Sequence, residues 1–177
     1  MHDPRIPMLL TIHAGGADKS DARWLAVEQS LGVTLPGSYK KLIDTFGATS
    51  WGNFLHVLSP FGDNLNLQRI GKQILDADRE SRSRFASHYP LPLYPEPGGL
   101  LPWAVTDNGD TLYFITLANP DKWPTLIKGP RAPEFEVTYF HPALLVHHVA
   151  AGTLQSTILP KLSENAAASS TAPDPRR

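Results

Sequence analysis

Cysteine is absent from all 177 residues. That removes disulfides, thiol nucleophiles and thiolate metal sites together, and it fits a reducing compartment. No apolar run approaches the roughly 20 residues that a transmembrane helix needs, so a membrane is not an expected partner. An excess of one charge is missing too: 16 Lys and Arg stand against 17 Asp and Glu, a formal charge of −1. Proteins that neutralise many phosphates carry a clear basic surplus, so nucleic acid is not an expected partner either. The chain also lacks a Gly-x-Ser-x-Gly elbow, a phosphate-cradling glycine loop, His-Glu-x-x-His and any internal repeat. The apolar N-terminal stretch Ile6–Ile12 is short and has no basic run before it, and His13-Ala14-Gly15-Gly16 only faintly mimics a cleavage site. It does not read as a signal peptide, and the expected location is the cytoplasm.

What is present is a 41% apolar composition, enough for one real core, arranged in an α+β order. Residues 1–17, with two prolines and two adjacent glycines, are expected to form a loosely held arm. Asp18 is placed to cap a helix carrying Trp24, Val27 and Leu31, which Gly32 stops. Pro36 suits the first turn of a second helix with Tyr39, Leu42, Ile43 and Phe46 as its stripe and Gly47 at its end. Trp51 to Leu58 reads as one strand. Leu67, Ile70, Ile74, Ala77 and Asp78 step at helical spacing toward Phe85. Tyr89 to Gly99, with four prolines, is an extended connection. Strands follow at Leu100–Thr106, Thr111–Thr116, Thr125–Lys128 and Phe135–Phe140, the last with Phe135, Val137 and Tyr139 on one face. Pro142 opens a closing helix with Leu145, Val146 and Val149. The domain is expected over 18–160 as a twisted, mostly antiparallel sheet with helices packed on it. A disordered tail is expected over 161–177, where Ala, Ser, Pro and Arg dominate from Ser163 onward.

The strongest local signal is Asp107-Asn108-Gly109-Asp110 between two apolar runs. Asn-Gly there predicts a two-residue type I′ turn, whose central residues both need positive φ. This leucine-proline-aromatic strand, Asp-x-Gly-Asp turn and aromatic strand resemble the SUKH superfamily, which includes the Smi/Knr cell-wall regulators and many bacterial toxin-immunity proteins. Val27 to Gly47 resembles the opening motif of that family: a helix ending in Glu-x-x-Leu-Gly, a Leu-Pro step, then Tyr-x-x-x-(apolar)-x-x-x-Gly. The two motifs together bracket Val27 to Thr116. The resemblance implies a twisted sheet with packed helices. It also implies a non-catalytic protein that neutralises a cognate toxin, frequently a nuclease, by occlusion. A regulatory scaffold of the Smi/Knr type, binding a host signalling partner, is the alternative that the same resemblance leaves open.

The candidate chemistry is sparse, and no cofactor is expected. Asp107, Asp110 and Asp121 would suit a metal or acid–base work, but Asp and Asn are also what turns require. His147 and His148 are adjacent and point about 100° apart on a helix, so they do not share a metal readily. His13, His56 and His88 have no ligand at sequence spacing, and no metal is expected. Arg79, Arg82 and Arg84 fit a solvated helix end. Tyr113 and Phe114 must face opposite sides of the sheet. Binding residues concentrate on loops held by a rigid scaffold, and interfaces use aromatic anchors. The expected partner surface therefore lies on the hairpin side, with Asp107, Asp110, Asp121 and Trp123 as contributors and a protein toxin or other protein as partner.

Overall fold

In the computed structural model, which describes residues 3–13, 21–131 and 134–162, the chain opens with one helical turn, α1 (Ile6–Leu9). The expected loosely held arm is corrected over residues 3–13. Ile6, Leu9 and Ile12 recur every three residues, face the same side, and are buried in the main core. α2 (Ala22–Leu31) begins at Asp21, whose carboxylate accepts the Arg23 N–H at 3.0 Å, and ends at Gly32 with φ of 75°. Asp18, the expected cap, lies outside the described residues. α3 (Gly37–Phe46) follows directly. Glu28 Oε1 accepts the Leu35 N–H at 2.8 Å and the Lys40 ammonium at 2.9 Å, so one carboxylate ties the end of α2 to the start of α3. That contact gives the Glu-x-x-Leu-Gly motif its physical content.

The single strand expected over Trp51–Leu58 is two short ones, β1 (Thr49–Trp51) and β2 (Leu55–Val57), paired antiparallel. Gly52 and Asn53 between them have φ of 60° and 49°, and the Phe54 N–H returns to the Trp51 carbonyl at 3.1 Å. Consecutive positive-φ residues closed by that bond mark a type I′ turn. α4 (Leu67–Arg84) is capped by Asn66, which accepts the Arg69 N–H at 2.9 Å. Its last turns hold the proline-rich connection: Arg79 donates to the Tyr94 carbonyl and Arg82 to Glu96, each at 2.7 Å. β3 (Leu100–Thr106), β4 (Thr111–Ile115), β5 (Thr125–Lys128) and β6 (Phe135–Thr138) complete a six-stranded sheet in the order β1-β2-β3-β4-β5-β6, antiparallel throughout. The β3–β4 register shifts between Pro102 and Ala104, placing the proline where no ladder N–H is required. α5 (Pro142–Ala150) closes the fold.

The β3–β4 turn differs from expectation. Gly109 has φ of 86°, but Asn108 is not among the residues with positive φ. The Gly109 N–H bonds to the Thr106 carbonyl, and the Thr106 N–H to the Asp110 carbonyl, both at 3.0 Å. The result is a three-residue loop with one left-handed glycine, the next commonest hairpin solution after the two-residue turns. The Thr106 and Asp110 side chains select it, since the Thr106 hydroxyl donates to Asp110 Oδ2 at 2.6 Å and accepts the Asp110 N–H at 3.1 Å.

The sheet is covered on both faces. On one face, α3 and α5 with α1 and α2 bury Tyr39, Leu42, Trp103, Phe114, Leu145 and Val146. The Tyr39 hydroxyl donates to the Leu58 carbonyl at 2.5 Å, and its ring meets Trp24, Trp103 and Phe114 edge-on. On the other face, α4 covers Leu100, Tyr113 and Leu126. Tyr113 and Phe114 thus face opposite sides, as alternation demands. Leu162, expected in the tail, is partly buried against the main core, and the residues from Ser163 lie outside those described. Among the described residues no helix is long and apolar enough to cross a membrane. Leu42→Ala is expected to cost about 2–5 kcal/mol in urea unfolding, as buried leucine truncations do. Gly109→Val is expected to cost about 1–3 kcal/mol through strain alone, since a Cβ there meets only Pro130 at an ordinary 3.5 Å.

Candidate partner-binding surface

The four residues expected to form one surface are not brought together. Asp107 sits at the β3–β4 tip and is exposed, with His56 Nε2 2.6 Å from its Oδ1. Asp110, at the same tip, is only 3% exposed and is consumed by its bonds to Thr106. Asp121 lies at the opposite end of β4, exposed, where its Oδ1 accepts the Gly37 N–H at 2.8 Å and so caps α3 from another part of the chain. Trp123, the tryptophan expected at the surface, is 5% exposed. The turn Pro120–Lys122 folds the loop inward, so its indole N–H donates to the Leu117 carbonyl at 2.6 Å and its ring packs on Phe114. Three of the four, Asp110, Asp121 and Trp123, therefore shape the fold, and the two exposed acids, Asp107 and Asp121, stand a strand length apart.

Two polar constellations form that sequence spacing did not reveal. Ser50 Oγ lies 2.6 Å from His56 Nδ1, and His56 Nε2 reaches Asp107, so the three make a chain across β1, β2 and the hairpin tip. The pairing of Ser50 with His56 across the β1–β2 ladder builds it. The second is buried beneath α4. Asp78 accepts from the Tyr89 hydroxyl at 2.9 Å, the Tyr113 hydroxyl at 2.6 Å and the Lys128 ammonium at 2.9 Å. The ammonium also lies over the Tyr89 ring, 4.8 Å from its centroid. A carboxylate inside an otherwise apolar helical stripe was the sequence signal for this cluster. Burial, reinforced by the neighbouring Asp78 charge, holds the Tyr113 hydroxyl well above the ordinary tyrosine value. Burial works against the Lys128 ammonium, but its bond to Asp78 prevails and raises it. Among the described residues no group of three His, Cys, Asp or Glu side chains is placed to hold a metal ion.

The surface feature left over is apolar. β6 alternates, and Phe135 and Val137 on one face are turned to solvent, with exposures of 44% and 42%. The strand ends at Thr138, and Tyr139 just beyond it is 85% exposed and borders Pro36, Ser38 and Lys122. The pairings Leu126↔Val137 and Lys128↔Phe135 put the Phe135 and Val137 side chains on the face that α4 covers further in. α4 reaches the middle of that face and not its last strand, so the row stays open. On the opposite face the Glu136 carboxylate is taken up by Ser156 and by the Thr157 N–H and hydroxyl. Contiguous apolar side chains of this kind mark interaction sites more often than isolated ones do.

The family model described as SMI1-KNR4 cell-wall (SUKH_6) matches residues 21–137, which span α2 through most of β6. No curated protein and no solved structure matches the chain.

The Asp78 cluster yields a stability test. Asp78→Ala leaves Lys128 half-buried without its carboxylate and is expected to cost about 3–5 kcal/mol in urea unfolding. The folded-state values of Tyr113 and Lys128 lie above their unfolded ones, so the stability they contribute is full below about pH 10 and is lost as pH rises further. Thermal melts across the alkaline range are expected to show the midpoint falling there.

Proposed function

The chain belongs to the SMI1-KNR4 cell-wall family, and from that premise we propose that it is a protein-binding module that neutralises a bacterial toxin by covering it. The family is generally non-catalytic. The observation that carries the reading is the open row of Phe135, Val137 and Tyr139, an apolar surface on a rigid sheet rather than on a loop. Tyrosine and phenylalanine in such a row supply the large, stiff contacts on which interfaces depend. Two exposed acids flank it at the ends of the sheet, Asp107 at the hairpin tip and Asp121 beyond β4. They suit a partner that is basic where it holds phosphate, as a nuclease toxin is, by steering its approach more than by adding affinity. The action takes place in the cytoplasm, where a nuclease toxin meets its substrate.

Affinity capture from the native host, with mass spectrometry of what co-purifies, identifies the partner; purified partner and chain are then mixed. The expected result is a stable complex in which the toxin's activity is lost. Tyr139→Ala and Val137→Asp are expected to weaken that complex by roughly 10-fold or more while leaving the melting temperature nearly unchanged. Asp107→Lys is expected to slow association, most visibly at low salt. Unaltered affinity in the β6 variants would move the interface elsewhere on the molecule.

A further inference from the structure

β6 is the last strand of the sheet, and among the described residues no strand pairs with its outer edge. The pattern of backbone bonds defines which groups that edge presents. The Gly129 N–H donates to the Glu134 carbonyl, so Gly129 and Glu134 oppose each other as a bonded pair at the start of the β5–β6 ladder. Antiparallel ladders alternate bonded and non-bonded pairs, which makes Ile127↔Glu136 and Thr125↔Thr138 the next bonded ones. The N–H and carbonyl groups of Phe135 and Val137 therefore point away from β5. Among the described residues no backbone hydrogen bond meets them. Open edge groups beside an apolar row are a template for another strand, and proteins usually cover, charge or pair such an edge.

We infer that a second copy of this chain pairs with β6, edge to edge and antiparallel, joining two sheets across a two-fold axis at Val137. The strand is complementary to itself in that register. Phe135 falls opposite Tyr139 of the second copy, Val137 opposite Val137, and Glu136 opposite Thr138. Every apolar residue of the open row meets an apolar residue, and no like charges oppose. The register centred one residue earlier sets Glu136 against Glu136 and is disfavoured for that reason. The pairing groups of the strand are also the outward ones: those of Phe135 and Val137 face the axis, and the second copy continues the register past Thr138 to Tyr139. A two-fold contact that uses the same patch on both copies closes on itself and stops at two. Edge pairing uses backbone groups and leaves the side-chain faces open. The dimer thus carries one continuous apolar band, twice the length of the row on a single copy. This inference goes beyond the toxin-binding reading and stands without it.

Analytical ultracentrifugation of the full chain alone, over a wide concentration range, tests it. The expected result is a reversible monomer–dimer equilibrium. Phe135→Lys with Tyr139→Lys sets lysine opposite lysine twice and is expected to weaken the dimer by at least ~10-fold. Phe135→Lys with Tyr139→Glu removes the same apolar surface but sets lysine opposite glutamate, and is expected to restore dimerisation. Val137→Pro deletes one outward N–H at an edge position that tolerates proline, and a folded monomer is expected. Circular dichroism confirms the fold of each variant. A wild-type chain that sediments as a monomer at every concentration overturns the inference. So does equal behaviour of the Lys/Lys and Lys/Glu variants, or a Val137→Pro chain that dimerises as wild type.

Discussion

A sheet whose central strands carry large apolar side chains on both faces has to be covered twice, and most of this molecule follows from that constraint. Phe114 and Trp103 require a layer on one side, which α3 and α5 supply with α1 and α2 behind them. Tyr113, Leu100 and Leu126 require another on the far side, and α4 alone supplies it. One helix is narrower than six strands. α4 therefore has to be held at a defined place, and the Asp78 carboxylate does so by engaging the tyrosine of β4 and the lysine of β5 together. Where the helix stops, the sheet is left uncovered, and β6 is where it stops.

Much of this was legible in the sequence, and what was not has particular causes. The helix pair up to Gly47 was legible because its glycines and apolar spacing agree with one another, while its starts were read slightly early or late: Asp21 caps α2, and Pro36 is the cap of α3 rather than part of its first turn. Tyr113 and Phe114 could be assigned to opposite faces because strand alternation leaves no choice. The first hairpin was hidden, since an apolar run from Trp51 to Leu58 reads as one strand unless Gly52-Asn53 is weighed as a turn in its own right. At Asn108-Gly109 the turn was recognised but its type was not, because the Thr106–Asp110 side-chain bonds that select the three-residue loop are not a backbone preference. Alternation in β6 told which residues share a face. It could not tell that this face lacks a cover, which depends on the reach of α4, sixty residues earlier.

The candidate site shows the same division. Acids near turns are ambiguous in sequence, because a carboxylate that accepts a backbone N–H and one that meets a partner have the same composition around them. Asp110 and Asp121 turned out to shape the chain, one closing a hairpin and the other capping α3. Trp123 belongs to the core for a reason no local pattern carries: its indole N–H finds the Leu117 carbonyl once the loop folds back. With most acids employed internally, the free surface is distinguished by exposed aromatic and β-branched side chains.

The connectivity of the sheet has a kinetic consequence. Each strand pairs with the one before it in sequence, so the ladder can form in the order in which a ribosome releases it, although β3 reaches β2 only after α4 and the proline-rich connection have been made. A longer span joins the two ends of the fold, where α1 packs on α5 and His147 Nδ1 lies 3.2 Å from the Ile6 carbonyl. That contact spans nearly the whole chain and has to wait until α5 has been made. Nascent chains would thus accumulate a growing sheet whose first helical turn has no seat. The last helix acts as a latch, sealing the core only once α5 itself has been made.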